Sequence, residues 1–370
     1  MRTLNRLLRA PLAAACWAAL STAALAGPTA TISSTDDPAN WLGASLSVLD
    51  GVAAVSLAGS GLCSGSLLAG GQYLLTAAHC VTDDATGVQN VFSFNIDFKA
   101  GTAGAVSVGA TAVYIAPGWQ GGNHSLGDGS DLAILRLSST VTTVAGYGLS
   151  PTLDLGKSFL MAGYGRIGTG AGGAADGSYG VLHYGYNVND TTDYALNTAL
   201  RAAGYGPYLD PMYATLYGET YVYDFDNGRT AQNALQRLYA LTGVAVNSDL
   251  GLGASEAMIA PGDSGGGDFV LVDGQYLLSG VHSYGWNLCT DIASGGVSDA
   301  LAGCTLRPDG VSSYGSLGGS TSVYSALSWI ASVTGVSAVP EPATWVLLLG
   351  GLPLLPALRA ARRLQARKRP

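Results

Sequence analysis

Short runs rich in Val, Leu, Ile and Tyr recur along the middle of the chain, at 51–57, 71–76, 91–98, 106–115, 132–137, 158–163, 269–272 and 276–282. Glycine-rich turns separate them, and runs of this length and composition predict β-strands. Helical spacing is confined to two stretches. Residues 231–241 place Ala234, Leu235, Leu238 and Leu241 on one face, and 323–333 predicts a terminal helix. The chain has 53 glycines, many in clusters such as 168–173, which predict long pliable loops. Many short strands with glycine-rich turns predict an all-β sandwich or barrel. No internal repeat is visible.

The two ends carry patterns of their own. Residues 1–26 open with Arg2, Arg6 and Arg9, continue into an alanine- and leucine-rich stretch and close on Ala24-Leu25-Ala26. A basic start, an apolar centre and an A-x-A end predict a signal peptide cleaved after Ala26. At the other end, 344–358 is apolar and uncharged, and Arg359, Arg362, Arg363, Arg367, Lys368 and Arg369 follow. A membrane helix needs about 20 apolar residues, so this run is a short span. The basic cluster beyond it predicts a cytoplasmic end. Between the two lies an exported domain, 27–338, of about 310 residues, followed by a terminal segment at 339–370.

Charge and cysteine content narrow the function classes. Between Asp36 and Glu341 the chain carries all 25 acidic residues against eight basic ones, a net of −17. That acidity argues against nucleic-acid binding, which requires a basic face. With Cys16 in the leader, four cysteines remain: Cys63, Cys80, Cys289 and Cys304. An even number in an exported chain predicts two disulfides, with the pairing open. Their spacing lacks the closely placed pair of a zinc site, and no metal is expected.

Two local sequences carry chemistry. Leu74-Leu75-Thr76-Ala77-Ala78-His79-Cys80 delivers a histidine at the end of a strand-like run, and Pro261-Gly262-Asp263-Ser264-Gly265-Gly266 sets a serine among glycines. A serine hydroxyl is a weak nucleophile until a neighbouring base takes its proton. Histidine suits that role because its pKa lies near neutrality, and a buried carboxylate then fixes its tautomer. Taken singly, such a histidine is commonly a core residue and such a serine part of a tight turn. The ordered combination points to catalysis. Together these sequences resemble the trypsin/chymotrypsin-like serine peptidases, whose order is His, Asp, Ser. Ser130-Asp131-Leu132-Ala133-Ile134-Leu135 resembles the family's aspartate element. Further likenesses are Cys63-Ser64-Gly65-Ser66-Leu67, Ala162-Gly163-Tyr164-Gly165, Gly280-Val281-His282-Ser283-Tyr284-Gly285 and Ser322-Val323-Tyr324 with Trp329-Ile330.

The resemblance implies two packed antiparallel six-stranded β-barrels and a C-terminal helix, with an insertion of roughly 40 residues in the second barrel, within about 188–245. It implies a secreted endopeptidase with His79, Asp131 and Ser264 as catalytic triad, the amides of Gly262 and Ser264 as oxyanion hole, and no cofactor. It also implies Cys63–Cys80 and Cys289–Cys304 disulfides. By position, Met258 falls at the pocket floor, Ser283, Tyr284 and Gly285 along its wall and Ser322 near its back. With no acid at the floor, apolar side chains are the expected preference, although a shifted register would bring Glu256 closer. The family's cysteine shortly before the serine is missing here. Many members mature when a new amino terminus pairs with the aspartate before the serine. No such terminus is visible upstream of Cys63, so the partner of Asp263 is open. The insertion reads equally as a lid, an exosite or a surface excursion.

His124, His183 and His282 read as structural, and Asp224-Phe225-Asp226-Asn227-Gly228 reads as a solvated turn lacking calcium-loop ligands. Val339-Pro340-Glu341-Pro342-Ala343, the apolar run and the basic end resemble the PEP-CTERM sorting signal of Gram-negative bacteria. That likeness implies an exosortase partner at the inner membrane, transient or permanent anchoring, and delivery to the cell surface or extracellular matrix. The alternative functional reading is a non-catalytic surface binding module on a protease scaffold.

Overall fold

The computed structural model describes residues 33–34, 37–58, 61–122, 127–175, 177–202, 219–228, 232–242, 248, 251–286 and 312–338. The leader, the 339–370 segment, His124, Cys289 and Cys304 lie outside these residues. Among the described residues no helix is long and apolar enough to cross a membrane.

Seven strands make one antiparallel sheet in the spatial order Val106–Val108, Phe94–Phe98, Val52–Leu57, Gly61–Leu67, Tyr73–Thr76, Ala133–Leu137, Ala110–Ile115. The first and last of these stand at opposite edges, yet only Gly109 separates them in the chain. The sheet must therefore curl until its edges approach. The expected single strand at 106–115 is bent at a glycine, which turns six strands into seven segments. Alternation along Phe94–Phe98 shows the cause of the curvature's polarity: Ile96 and Phe98 are buried, while Asn95 is exposed and donates to Asp97 at 2.6 Å.

The second seven-stranded antiparallel sheet runs His183–Val188, Ser158–Gly163, Gly267–Val272, Gln275–Trp286, Leu317–Ser322, Thr220–Asp224, Thr191–Thr192. Its last two strands come from the expected insertion, with Thr220 opposite Thr321 and Asp224 opposite Leu317. Part of the extra sequence thus extends the sheet edge, which is why this sheet also exceeds six strands. The same region supplies two helices, Asp193–Ala202 and Ala234–Thr242. The two curled antiparallel sheets give the trypsin-like double-barrel fold, mostly β with few helices.

One apolar core joins the sheets. Leu67, Leu74 and Ile134 from the first share one cluster with Phe269, Leu278 and Val281 from the second, all essentially inaccessible. Each such aliphatic side chain contributes about 1.5–3 kcal/mol through burial. The connecting stretch stitches this seam. Leu149 bridges to both Leu278 and Ala338, and the Tyr147 ring lies 4.3 Å from Phe269 while its hydroxyl donates to Val48 O at 2.8 Å. The terminal helix Leu327–Thr334 buries Ile330 in the same core and stops at Gly335, whose left-handed φ of 74° lets its N–H cap Ala331 O.

A small third sheet carries weight beyond its size. Ser33–Ser34 pairs parallel with Ile167–Thr169 and antiparallel with Ala257–Met258. Downstream, Trp41 packs edge-on against Tyr184 at 5.4 Å between ring centres. The segment that precedes the first sheet therefore lies against the second.

Cys63 and Cys80 are joined, 17 residues apart in sequence. Closing a loop of that length restricts the unfolded chain by about 3 kcal/mol. The double variant Cys63→Ala/Cys80→Ala is expected to lose about that much unfolding free energy in urea titration; an unchanged midpoint and slope would contradict this.

Candidate active site

The strand Tyr73–Thr76 ends at extended Ala77, and a single 3-10 turn, Ala78–Cys80, turns the His79 side chain toward the seam between the sheets. Asp131 stands just before the strand Ala133–Leu137, which pairs with Tyr73–Thr76 and so brings the two residues together. Asp131 Oδ1 accepts from the His79 backbone N–H at 2.9 Å, and Oδ2 lies 2.8 Å from His79 Nδ1. Ser283 Oγ donates to the same Oδ2 at 2.5 Å. A fully buried carboxylate with three donors cannot swing away, and it keeps the histidine proton on Nδ1. Nε2 is then left as the acceptor, facing the seam.

Burial alone would lower the His79 pKa, but the Asp131 charge and hydrogen bond outweigh it and hold the pKa above the ordinary 6.5. The side chain keeps 20% exposure, so proton exchange with solvent remains open. The sulfur atoms of Cys63 and Cys80 lie close to His79, but their disulfide leaves no thiolate to offer a metal.

Ser264 enters from the second sheet on the turn before Gly267–Val272. Gly262 has φ +97°, and a Cβ there would sit 2.9 Å from Gly165 Cα, so only glycine fits. A Cβ on Gly265, at φ +81°, would stand 2.1 Å from Thr76 Oγ1 and 2.4 Å from Ser64 O, both atoms of the first sheet. That close approach sets the serine turn against the end of the strand that leads toward His79. Ser64 N–H donates to Ser264 O at 2.7 Å, and Ser64 Oγ donates to Gly262 O at 3.0 Å while accepting from Tyr164 N–H at 2.9 Å. Cys80 Sγ lies 3.9 Å from His79 Nε2 and 3.7 Å from Ser264 O, so histidine and serine backbone meet at one sulfur.

Beside Ser264 opens a cavity of about 90 Å³ lined by Ile259, Ala260, Pro261, Ser283, Tyr284, Gly285 and Ser312. Among the described residues no charged side chain lines it. Of the five residues expected there, Ser283, Tyr284 and Gly285 line the cavity. Met258 does not: it is fully buried in the second sheet's own core, and its neighbour Ile259 takes the expected place. Ser322 is buried behind, donating to the Tyr221 hydroxyl at 3.2 Å. Glu256 is turned away from the cavity, its carboxylate accepting from the N–H groups of Asp226 and Leu252.

Other placements differ from expectation. Asp224 and Asp226 are buried rather than solvated, because Thr220–Asp224 is a sheet strand. Burial first, then the Asp190 and Asp226 charges, hold the Asp224 carboxyl well above the usual range. Asp193, at the start of an inserted helix, is buried with its pKa pushed up to about 8 by desolvation, and it accepts from the Tyr284 hydroxyl at 2.6 Å. The insertion therefore reaches the cavity wall, a contact that no local sequence signal announces. Ser312 was equally unmarked; its hydroxyl donates to Ile259 O at 2.6 Å.

Comparison with known proteins agrees with this geometry in part of the chain. The Trypsin family model matches residues 50–186, which include His79 and Asp131 and stop short of Ser264. No curated protein matches the chain. Over those residues the chain is similar to the trypsin family, and the paired antiparallel sheets agree with that family's fold.

Because the folded His79 pKa lies above 6.5, its pairing with Asp131 stabilises the fold fully below pH 6.5 and fades as pH rises through the folded pKa. An NMR titration of the ring is expected to find a midpoint above 6.5, moving down in Asp131→Asn. A midpoint unmoved by that substitution would contradict the assignment of cause.

Proposed function

We propose that this protein is an exported serine endopeptidase that cleaves peptide bonds through an acyl-enzyme. The carrying observation is the Asp131 carboxylate clamped onto both the amide and the ring of His79, beside a glycine-flanked serine turn. In this reading His79 Nε2 takes the Ser264 hydroxyl proton as Oγ attacks the substrate carbonyl carbon. The tetrahedral oxyanion accepts hydrogen bonds from the Gly262 and Ser264 N–H groups, each such donor being worth about 2.7–4 kcal/mol. His79 then passes the proton to the departing amine as the C–N bond breaks. Water, deprotonated by the same Nε2, cleaves the ester and restores Ser264.

Cavity size and lining support a preference for uncharged side chains before the scissile bond. At about 90 Å³ the cavity is smaller than the roughly 150 Å³ that admits benzene. Aliphatic residues of medium size fit better than aromatic ones, and nothing along the described lining would pair with Arg or Lys. Export by the 1–26 leader, and sorting of the 339–370 segment by an exosortase-type enzyme with delivery to the surface or matrix, complete the proposal. Their support is sequence pattern: the A-x-A end, Val339-Pro340-Glu341-Pro342-Ala343, the apolar run and the basic tail.

A peptide library digested with the purified protein is expected to show cleavage after Val, Leu or Met, absent from Ser264→Ala. Dominant cleavage after Arg or Lys would overturn the specificity. Cleavage undiminished in Ser264→Ala would overturn the mechanism.

A further inference from the structure

The carboxylate of Asp263, immediately before the serine, is fully buried and accepts three hydrogen bonds. Gly165 N–H donates to Oδ1 at 2.8 Å, Ala260 N–H to Oδ2 at 2.9 Å, and His183 Nε2 lies 2.9 Å from Oδ1. His183 is itself fully buried, and among the described residues its Nδ1 has no hydrogen-bond partner, so the ring donates through Nε2. Gly163 and Gly165 shape the socket: a Cβ on either would stand within 2.3–2.8 Å of Asp263 atoms. The other end of the same residue is held too. His282 Nδ1 reaches Asp263 O at 3.1 Å and its Nε2 reaches Asp268 Oδ1 at 2.8 Å.

We propose that His183 is a positioning residue that locks the Asp263–Ser264 turn in its oxyanion-binding shape from within the fold, so that no newly cut amino terminus is needed. This rests on the peptidase reading of the same site. The physical demand is a donor inside a dry socket, since a buried carboxylate left short of donors is costly. His183 stands in the strand His183–Val188, paired to Ser158–Gly163, and arrives with the sheet itself. A second observation agrees independently. Ser33–Ser34 lies between Ile167–Thr169 and Ala257–Met258, and the latter leads directly into the cavity-lining Ile259 and Ala260. The described residues upstream of the first sheet are thus built into the support of the cavity.

The test uses protein exported from the full-length gene, with its amino terminus located by intact mass and turnover measured on the library's best peptide. The active species is expected to begin upstream of Ser33. His183→Leu should lose on the order of 100-fold in kcat, as for loss of one oxyanion donor. Its KM should stay within about threefold, because ground-state binding is untouched. His183→Gln, which keeps a side-chain N–H near the Nε2 position, should recover to within about tenfold of the parent. Activity that appears only after a cut downstream of Ser34 would overturn the proposal, even if His183→Leu fails to fold. A folded His183→Leu with parental kcat would overturn it while leaving the peptidase reading intact. A folded parent that turns over no peptide either uncut or after a cut downstream of Ser34 would overturn both.

Discussion

Histidine and serine stand on different sheets, so the register between the sheets is the constraint on which everything else depends. Ser64 sets it. Its N–H holds Ser264 O, its hydroxyl holds Gly262 O and accepts from Tyr164 N–H, and its carbonyl accepts from Thr76 Oγ1 at 2.8 Å. One residue on the strand Gly61–Leu67 therefore touches the serine turn, the Gly163-Tyr164-Gly165 socket and the strand Tyr73–Thr76 that leads to the His79 turn. A misplacement of about 1 Å at a reacting group is enough to cost a hundredfold in rate. Short hydrogen bonds from a rigid strand are the means available to avoid it, and the shared apolar core keeps the two sheets from sliding.

Around that seam the protein buries carboxylates and partners each differently. Asp131 takes an amide, a ring nitrogen and a hydroxyl, and Asp263 takes two amides and a ring nitrogen. Asp268 is paired with His282, whose pKa burial would lower but the Asp268 charge and hydrogen bond raise. Unpaired, each carboxylate would be costly in so dry a setting. Three of the chain's four histidines are spent on these aspartates, one exposed at 20% and two fully buried. The partly exposed one is His79; the buried pair hold Asp263, one at its carboxylate and one at its carbonyl.

Much of this was legible in sequence because it is local. Strand runs, the His79 turn and the glycines about Ser264 announce themselves through spacing and residue type. What escaped is what only long-range packing decides. Position counting put Met258 at the cavity floor, but without the family's usual cysteine the short strand Ala257–Met258 is drawn into the third sheet by Ser33–Ser34, and Ile259 faces the cavity instead. Asp224 and Asp226 look like turn residues in a glycine-ended stretch, yet Asp224 ends the strand Thr220–Asp224 inside the sheet and Asp226 just beyond it is buried as well. His183 looked structural because nothing in its neighbours along the chain names Asp263, 80 residues away.

The central claim is that Ser264 is an activated nucleophile. Reaction of the purified exported protein with a fluorophosphonate probe, beside Ser264→Ala, tests it most directly. The account predicts one covalent label on the parent, located at Ser264 and lost in the variant. A folded parent that takes no label, or a variant that labels equally, would contradict it.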